Sequence, residues 1–164
     1  MNYDNNRHNA HNEIDHIFQD LFPTRNMAER PEQAALCHRM LDAMVEGGIA
    51  LCDAGTGIGK TYAYLVAGTV YSRFRTACGL DRKPILVSTS SIALQTAARD
   101  EYLPLLSDVL TEDGMIVQPL QAVIRKGKSH YVCDMRLEQR LGQLDLQKKN
   151  WKAGAALLSL RGQL

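Results

Sequence analysis

The sequence predicts an α/β fold in which a parallel sheet is covered by helices on both faces. Three observations point there. Two short, nearly continuous apolar runs, IALC at 49–52 and PILVST at 84–89, read as buried strands. They alternate with longer segments whose apolar residues recur every three or four positions. Between the first run and the next such segment lies a glycine-rich stretch, the usual connection where a strand feeds a helix. Right-handed crossovers would gather the loops that follow the strands at one edge of the sheet, where ligands bind.

The elements follow in order. Ile14, Ile17, Phe18, Leu21 and Phe22 predict a first helix after Asn12, stopped by Pro23. The preceding leader, rich in Asn and carrying His8, His11 and His16, reads as a loosely ordered arm rather than a metal site. A second helix starts near Pro31, a residue suited to a first helical turn. Its apolar face is Leu36, Cys37, Met40, Leu41 and Met44, and Gly47-Gly48 ends it. After the strand at 49–52 and the glycine loop, a third helix runs from Lys60 to about Phe74, and 75–83 is a loop. Past the strand at 84–89, Ser90 or Ser91 caps a helix carrying Ile92, Leu94, Ala98 and Leu103. Weaker strand candidates, 115–117 and 122–124, flank Pro119, and the chain from about Ser129 reads as helical with a break at 142–145.

The length of 164 residues suits one domain with a real core, and 45% hydrophobic against 23% charged residues is ordinary for a globular chain. The net charge of +1 hides an asymmetry. From Gln121 onward nine Lys/Arg face three acids, a balance of +6, against −5 for residues 1–120. A basic final third can face a polyanion or form solvated helix faces. The four cysteines, Cys37, Cys52, Cys78 and Cys133, form no CxxC, which argues against a closed zinc site, and Cys52 reads as a small core residue. With no secretory signal and no run long enough to span a membrane, a cytoplasmic protein is expected.

Ala54, Gly55, Thr56, Gly57, Ile58, Gly59, Lys60 and Thr61 match the phosphate-binding loop except at the first position, where Ala replaces Gly. The chemistry needs these types. Backbone N–H groups wrap a phosphate only through turns that side chains obstruct, hence the glycines. The helix opening at Lys60 adds the positive end of its dipole, Lys60 a movable cation for the β- and γ-phosphates, and the Thr61 hydroxyl a ligand for Mg²⁺. The reading is a nucleoside triphosphate site with Lys60 and Thr61 as its catalytic pair. Because such loops serve many activities, the neighbouring residues must decide which.

Together, Arg30-Pro31-x-Gln33, the AGTGxGKT form of the loop, 86–95 with Ser88, Thr89, Ser90 and Gln95, and Lys126-Gly127-Lys128-Ser129-x-Tyr131-x-Cys133 resemble the DinG branch of the superfamily 2 helicases, relatives of the XPD iron–sulphur helicases. The resemblance covers about 30–141. It implies a RecA-like P-loop domain, incomplete in this chain, with a helical C-terminal segment. It implies adenine contact by Gln33 beside Arg30, and grip on single-stranded DNA by Ser88, Thr89, Ser90 and Gln95. It also makes Cys133 the counterpart of a first cluster cysteine. A cluster requires four thiolates. No iron–sulphur cluster is expected in this chain, and Cys133 becomes a ligand only within a longer protein. The implied organisation is a polar leader and N-terminal helix at 1–28, a partial ATP-binding domain at 29–125, and a basic helical segment at 126–164 resembling the start of the cluster-bearing insert.

The expected function is that of an ATP-binding N-terminal piece of a DinG-like helicase, which couples ATP hydrolysis to movement on single-stranded DNA. Its partners are then the DNA and the remainder of the helicase, including a second motor domain, with no membrane. The alternatives are a nucleotide-regulated nucleic-acid-binding module without hydrolysis, and a small P-loop kinase. Hydrolysis needs an acidic pair ending an apolar strand, and the one adjacent Asp-Glu, Asp100-Glu101, falls inside a helical pattern. Nor is a second motor domain present to supply an arginine, and the last residues, LRGQL, carry no closing signal. The chain is therefore expected to bind ATP without turning it over. A steady-state ATPase assay should read background for both the wild type and Lys60→Ala; a rate that Lys60→Ala abolishes would overturn this.

Overall fold

The computed structural model describes residues 3–147, beginning with α1, Tyr3–His16. The supposedly loose leader is helical because its few apolar residues keep helical spacing. Ala10 and Ile14 are buried on α1 and, just beyond it, Ile17 and Phe18. Its polar residues reach α2, where Arg7 pairs with Asp42 and Glu46. A π-turn, Ile17–Leu21, and a 3-10 turn, Phe22–Arg25, end this stretch at Asn26, whose left-handed φ of 56° lets its N–H cap the carbonyls of Phe22 and Pro23.

The helix α2, Pro31–Glu46, starts with proline in its first turn and stops at Gly47, φ 68°. The long helix α3, Lys60–Ala77, follows. Past residues 78–90 come α4, Ile92–Ala97, a π-turn at Ala98–Tyr102, and α5, Leu103–Glu112. Ser91 caps α4, its hydroxyl accepting the N–H of Leu94 at 3.2 Å. One core joins these helices: Ile14 and Ile17, Cys37 and Leu41 from α2, Val66 and Val70 from α3, Leu106 and Leu110 from α5. The chain divides into two compact units, Met1–Ala122 and Val123–Leu164. Within the second, a 3-10 turn at Lys128–His130 precedes α6, Asp134–Gln147, with Leu137 and Leu141 buried.

The expected parallel sheet is not there, and neither is the RecA-like α/β arrangement that the resemblance implied. Among the described residues there is no strand, and no backbone hydrogen bond joins 49–52 to 84–89. Ile49 is 93% exposed, Leu51 96% and Leu86 91%. Apolar content marks a run as fit for burial, but a strand exists only through a ladder with a neighbour, and neither run has one. Ile85 is the exception in its packing: its side chain presses against α3 at Gly68, where an added Cβ would meet it at 3.1 Å. The candidates at 115–117 and 122–124 are irregular as well. Ile116 closes a turn onto the Leu110 carbonyl, and Val117 and Val123 are exposed.

Two smaller expectations also fail. The buried cysteine is Cys37, whose thiol is pushed up by burial and then by the charge of Asp15; Cys52 is exposed. No break occurs at 142–145, because α6 continues through Gly142 to Gln147, a single interior glycine costing too little to end a helix. The basic residues Lys148, Lys149, Lys152 and Arg161 lie outside the described residues. Among the described residues no helix is long and apolar enough to cross a membrane. The burial pattern sets two opposite expectations for urea denaturation. Leu41→Ala should lose about 2–4 kcal/mol, and Leu86→Ala should stay within about 0.5 kcal/mol of wild type; equal losses would contradict this core.

Candidate nucleotide-binding site

The glycine loop bridges the exposed run at 49–52 and the first turn of α3. Gly57 and Gly59 both have left-handed φ, 87° and 89°, which side chains resist. At Gly59 a second constraint acts, since an added Cβ would stand 2.1 Å from Gln33 Nε2. Gly55 is different. Its φ is not left-handed, and a Cβ there would meet Ile58 Cδ1 at an ordinary 3.7 Å.

The loop is held by side chains that donate to its carbonyls. Arg30, the extended residue that precedes α2, donates from Nη1 to the Gly57 carbonyl at 2.6 Å. Gln33, in the first turn of α2, donates from Nε2 to the Gly59 carbonyl at 2.6 Å and is only 4% exposed. Lys60 curls back over the loop, and its Nζ donates to the carbonyls of Ala54 at 3.0 Å and Gly55 at 2.7 Å. Four loop carbonyls thus accept from cationic or amide donors. By contrast, none of the backbone hydrogen bonds among the described residues is donated by the N–H groups of 54–59. The loop thus leads into the first turn of α3, whose N-terminus carries the positive end of the helix dipole. Thr61, half-buried, is the second residue of α3.

The structure therefore brings Arg30, Gln33, Ala54 to Gly59, Lys60 and Thr61 into one place. It does not join them to the second expected group by any hydrogen bond or ion pair among the described residues. Ser88 and Ser90 are exposed, and Thr89 is half-buried. Thr89 Oγ1 accepts the Ser91 N–H at 3.2 Å, and Gln95 Nε2 donates to the Thr89 carbonyl at 3.3 Å, while Gln95 Oε1 is buried without a partner. These contacts form a self-contained turn that opens α4, with Gln95 bracing it from inside. Cys133 is exposed ahead of α6, Cys37 is in the core, and Cys78 accepts from Asn6 Nδ2 at 3.3 Å. Asp100 pairs with Arg99 within the π-turn. The bracing of the loop by Arg30 was missed in the sequence; its one signal was an arginine placed just ahead of the helix-opening proline.

No protein-family model matches the chain, and no solved structure matches it. Curated proteins do. Over 117 residues the chain is 32% identical to the 3′-5′ exonuclease DinG of Bacillus subtilis, which covers 71% of this chain and 11% of that protein. Over 110 residues it is 37% identical to the ATP-dependent helicase DinG of Mycobacterium tuberculosis, 67% of this chain and 15% of the relative. The ATP-dependent DNA helicase YoaA of Escherichia coli matches at 32% over 111 residues, 68% of the chain and 15% of that protein. The chain is a relative of the DinG helicases.

This DinG-like chain spans between 11% and 15% of the length of these relatives. Two glycines that look alike in its loop are not alike physically. Gly59→Ala must take a left-handed φ and displace a buried amide, so a loss of roughly 1–3 kcal/mol is expected. Gly55→Ala should stay within about 0.5 kcal/mol. Chemical denaturation of the two variants decides, and equal values would mean that Gln33 does not pack on Gly59 in solution.

Proposed function

We propose that this chain is the ATP-binding segment of a DinG-like ATP-dependent DNA helicase, which couples ATP hydrolysis to movement along single-stranded DNA. The observation that carries the reading is the loop in which four carbonyls, those of Ala54, Gly55, Gly57 and Gly59, are held by internal donors while its N–H groups, at the opening of α3, are not drawn into backbone hydrogen bonds. Amides in that arrangement receive phosphate oxygens at no cost in reorganisation. Lys60 Nζ, resting on two neutral carbonyls, is long and flexible enough to turn to an oxyanion, a stronger acceptor for an ammonium. The Thr61 hydroxyl, one residue on, is suited to Mg²⁺. Arg30 and Gln33 hold the loop in shape and sit where the helicase resemblance assigns base contact. When bound, ATP with Mg²⁺ supplies the phosphoanhydride whose cleavage drives the cycle of the longer protein.

Ser88, Thr89, Ser90 and Gln95 are the residues for the DNA strand. The exposed hydroxyls of Ser88 and Ser90 can donate to phosphate oxygens, and Gln95 keeps the turn rigid from behind. Such contacts read no bases, so binding should be insensitive to sequence and weaken with salt. Asp100 is tied to Arg99 and leaves no acidic pair for hydrolysis in this segment, so turnover belongs to the longer protein with its second motor domain. In that protein Cys133 is the residue for an iron–sulphur ligand.

Titration calorimetry with Mg²⁺ and a non-hydrolysable ATP analogue tests the reading. Saturable binding is expected, weakened by roughly 10–100-fold in Lys60→Ala through loss of a charge-assisted contact. Binding that ignores Lys60→Ala, or no heat at all at millimolar analogue, would overturn it.

A further inference from the structure

The most unusual polar cluster in the chain lies away from the loop, between α1 and α2. His11 and His38 have nearly parallel rings, with centroids 4.9 Å apart and an interplanar angle of 24°. Their Nδ1 atoms are 2.7 Å apart. The outer nitrogen of each ring meets a carboxylate: His11 Nε2 lies 3.0 Å from Asp42 Oδ1, and His38 Nε2 lies 2.9 Å from Asp15 Oδ1. The chain of contacts therefore runs carboxylate, imidazole, imidazole, carboxylate.

Counting protons leaves one consistent arrangement. A carboxylate only accepts, so both Nε2 atoms carry hydrogen. Asp42 is held ionised: burial works to raise its pKa, but the hydrogen bond from Arg7 and the neighbouring His11 bring it net below the usual carboxylate range. An Nδ1···Nδ1 distance of 2.7 Å then demands a single hydrogen between the rings. With none, two lone pairs would face each other; with two, N–H would meet N–H and the rings would repel as like charges. We propose that His11 and His38 form a single-proton lock between α1 and α2, closed when the pair shares one proton beyond neutrality and weakened by either gain or loss of a proton.

Charged groups from three helices face the lock. On α1 these are Asp15 and Arg7, the latter bonded to Asp42 at 2.6 Å and Glu46 at 2.7 Å; on α2 they are Asp42 and Glu46. Glu29 and Arg30 line a cavity of about 250 Å³ together with Asp15 and His38, which gives water access to His38. From α3, also packed on α1, Arg73 is neutralised by Glu13 at 2.8 Å. Sharing a proton makes the two rings titrate as one unit in two steps.

Linkage places the optimum. Stability is stationary where the unfolded and folded chains bind equally many protons. Two unfolded imidazoles hold one proton between them near about pH 6.5, so the lock contributes most there. Above that pH the folded pair holds more protons than the unfolded, and its contribution falls as pH rises. Below it the unfolded pair holds more, and the contribution falls as pH drops.

The test compares the full chain with His11→Phe/His38→Phe, which deletes all four nitrogens and with them every proton the pair can hold. The Tm difference between wild type and variant should peak near about pH 6.5 and shrink by roughly 3–5 °C at pH 5 and at pH 8. His16, held above its ordinary range by Asp20 and also by Asp113, is common to both proteins and cancels. If the variant does not fold, the wild type still decides by ¹⁵N NMR of its histidine rings. One shared proton persisting across the window, with His11 and His38 changing in two coupled steps, supports the lock. A flat Tm difference, or two rings titrating independently in one step, overturns it.

Discussion

The site depends on one buried amide. Gln33 sits on the core-facing side of α2, where a polar group without a partner would carry a desolvation cost of about 1–3 kcal/mol. It meets that demand by donating to the Gly59 carbonyl, which ties the first turn of α2 to the N-terminal end of α3. Only glycine allows so close an approach, and only glycine takes the left-handed φ there without strain. From this contact the rest follows. With the Gly59 carbonyl turned toward α2 and the Gly57 carbonyl toward Arg30, the N–H groups of Lys60 and Ile58, trans to those carbonyls, point the other way. The loop is shaped by α2, not by a sheet beneath it.

That makes the packing of α1, α2 and α3 the true scaffold. Val66 and Val70 of α3 share a core with Cys37 and Leu41 of α2, and Ile14 and Ile17 close it from the N-terminal side. The ion pairs along α1 are half-exposed, and such pairs contribute little individually. Their value is in register: Arg7 reaching two acids of α2, and Glu13 meeting Arg73 of α3, fix which face of α1 turns inward. A helix with so polar a composition would not persist alone in water; it holds here because Ala10 and Ile14 on it, and Ile17 and Phe18 just beyond it, are covered.

What was legible in the sequence divides along lines of distance. The helices α2 and α3 were readable because their information is local, in apolar spacing, a first-turn proline and a terminal glycine. The loop was readable for the same reason, its eight residues being contiguous. The runs at 49–52 and 84–89 were misread because apolar character does not say which neighbour will pair with a segment. The histidine cluster escaped for a related reason: His11 and His38 lie 27 positions apart, and nothing local announces that α1 crosses α2 there. An Asn-rich leader also hid its helical face, since Ala10 and Ile14 are sparse among polar neighbours.

The same division explains why a motif underdetermines its own residues. Three glycines look equivalent on paper, yet only Gly57 and Gly59 are required by backbone conformation, and only Gly59 by a neighbour as well. Lys60 is read from its position as a phosphate ligand, but its first partners are the carbonyls of Ala54 and Gly55. Those bonds hold the ammonium against the loop. On the proposed function, an arriving phosphate replaces two neutral acceptors with an ionised one, and a charge-assisted bond is about twice as strong as a neutral one. The lysine can therefore maintain the loop and then bind its ligand without a large rearrangement, because the loop's other carbonyls remain held by Arg30 and Gln33.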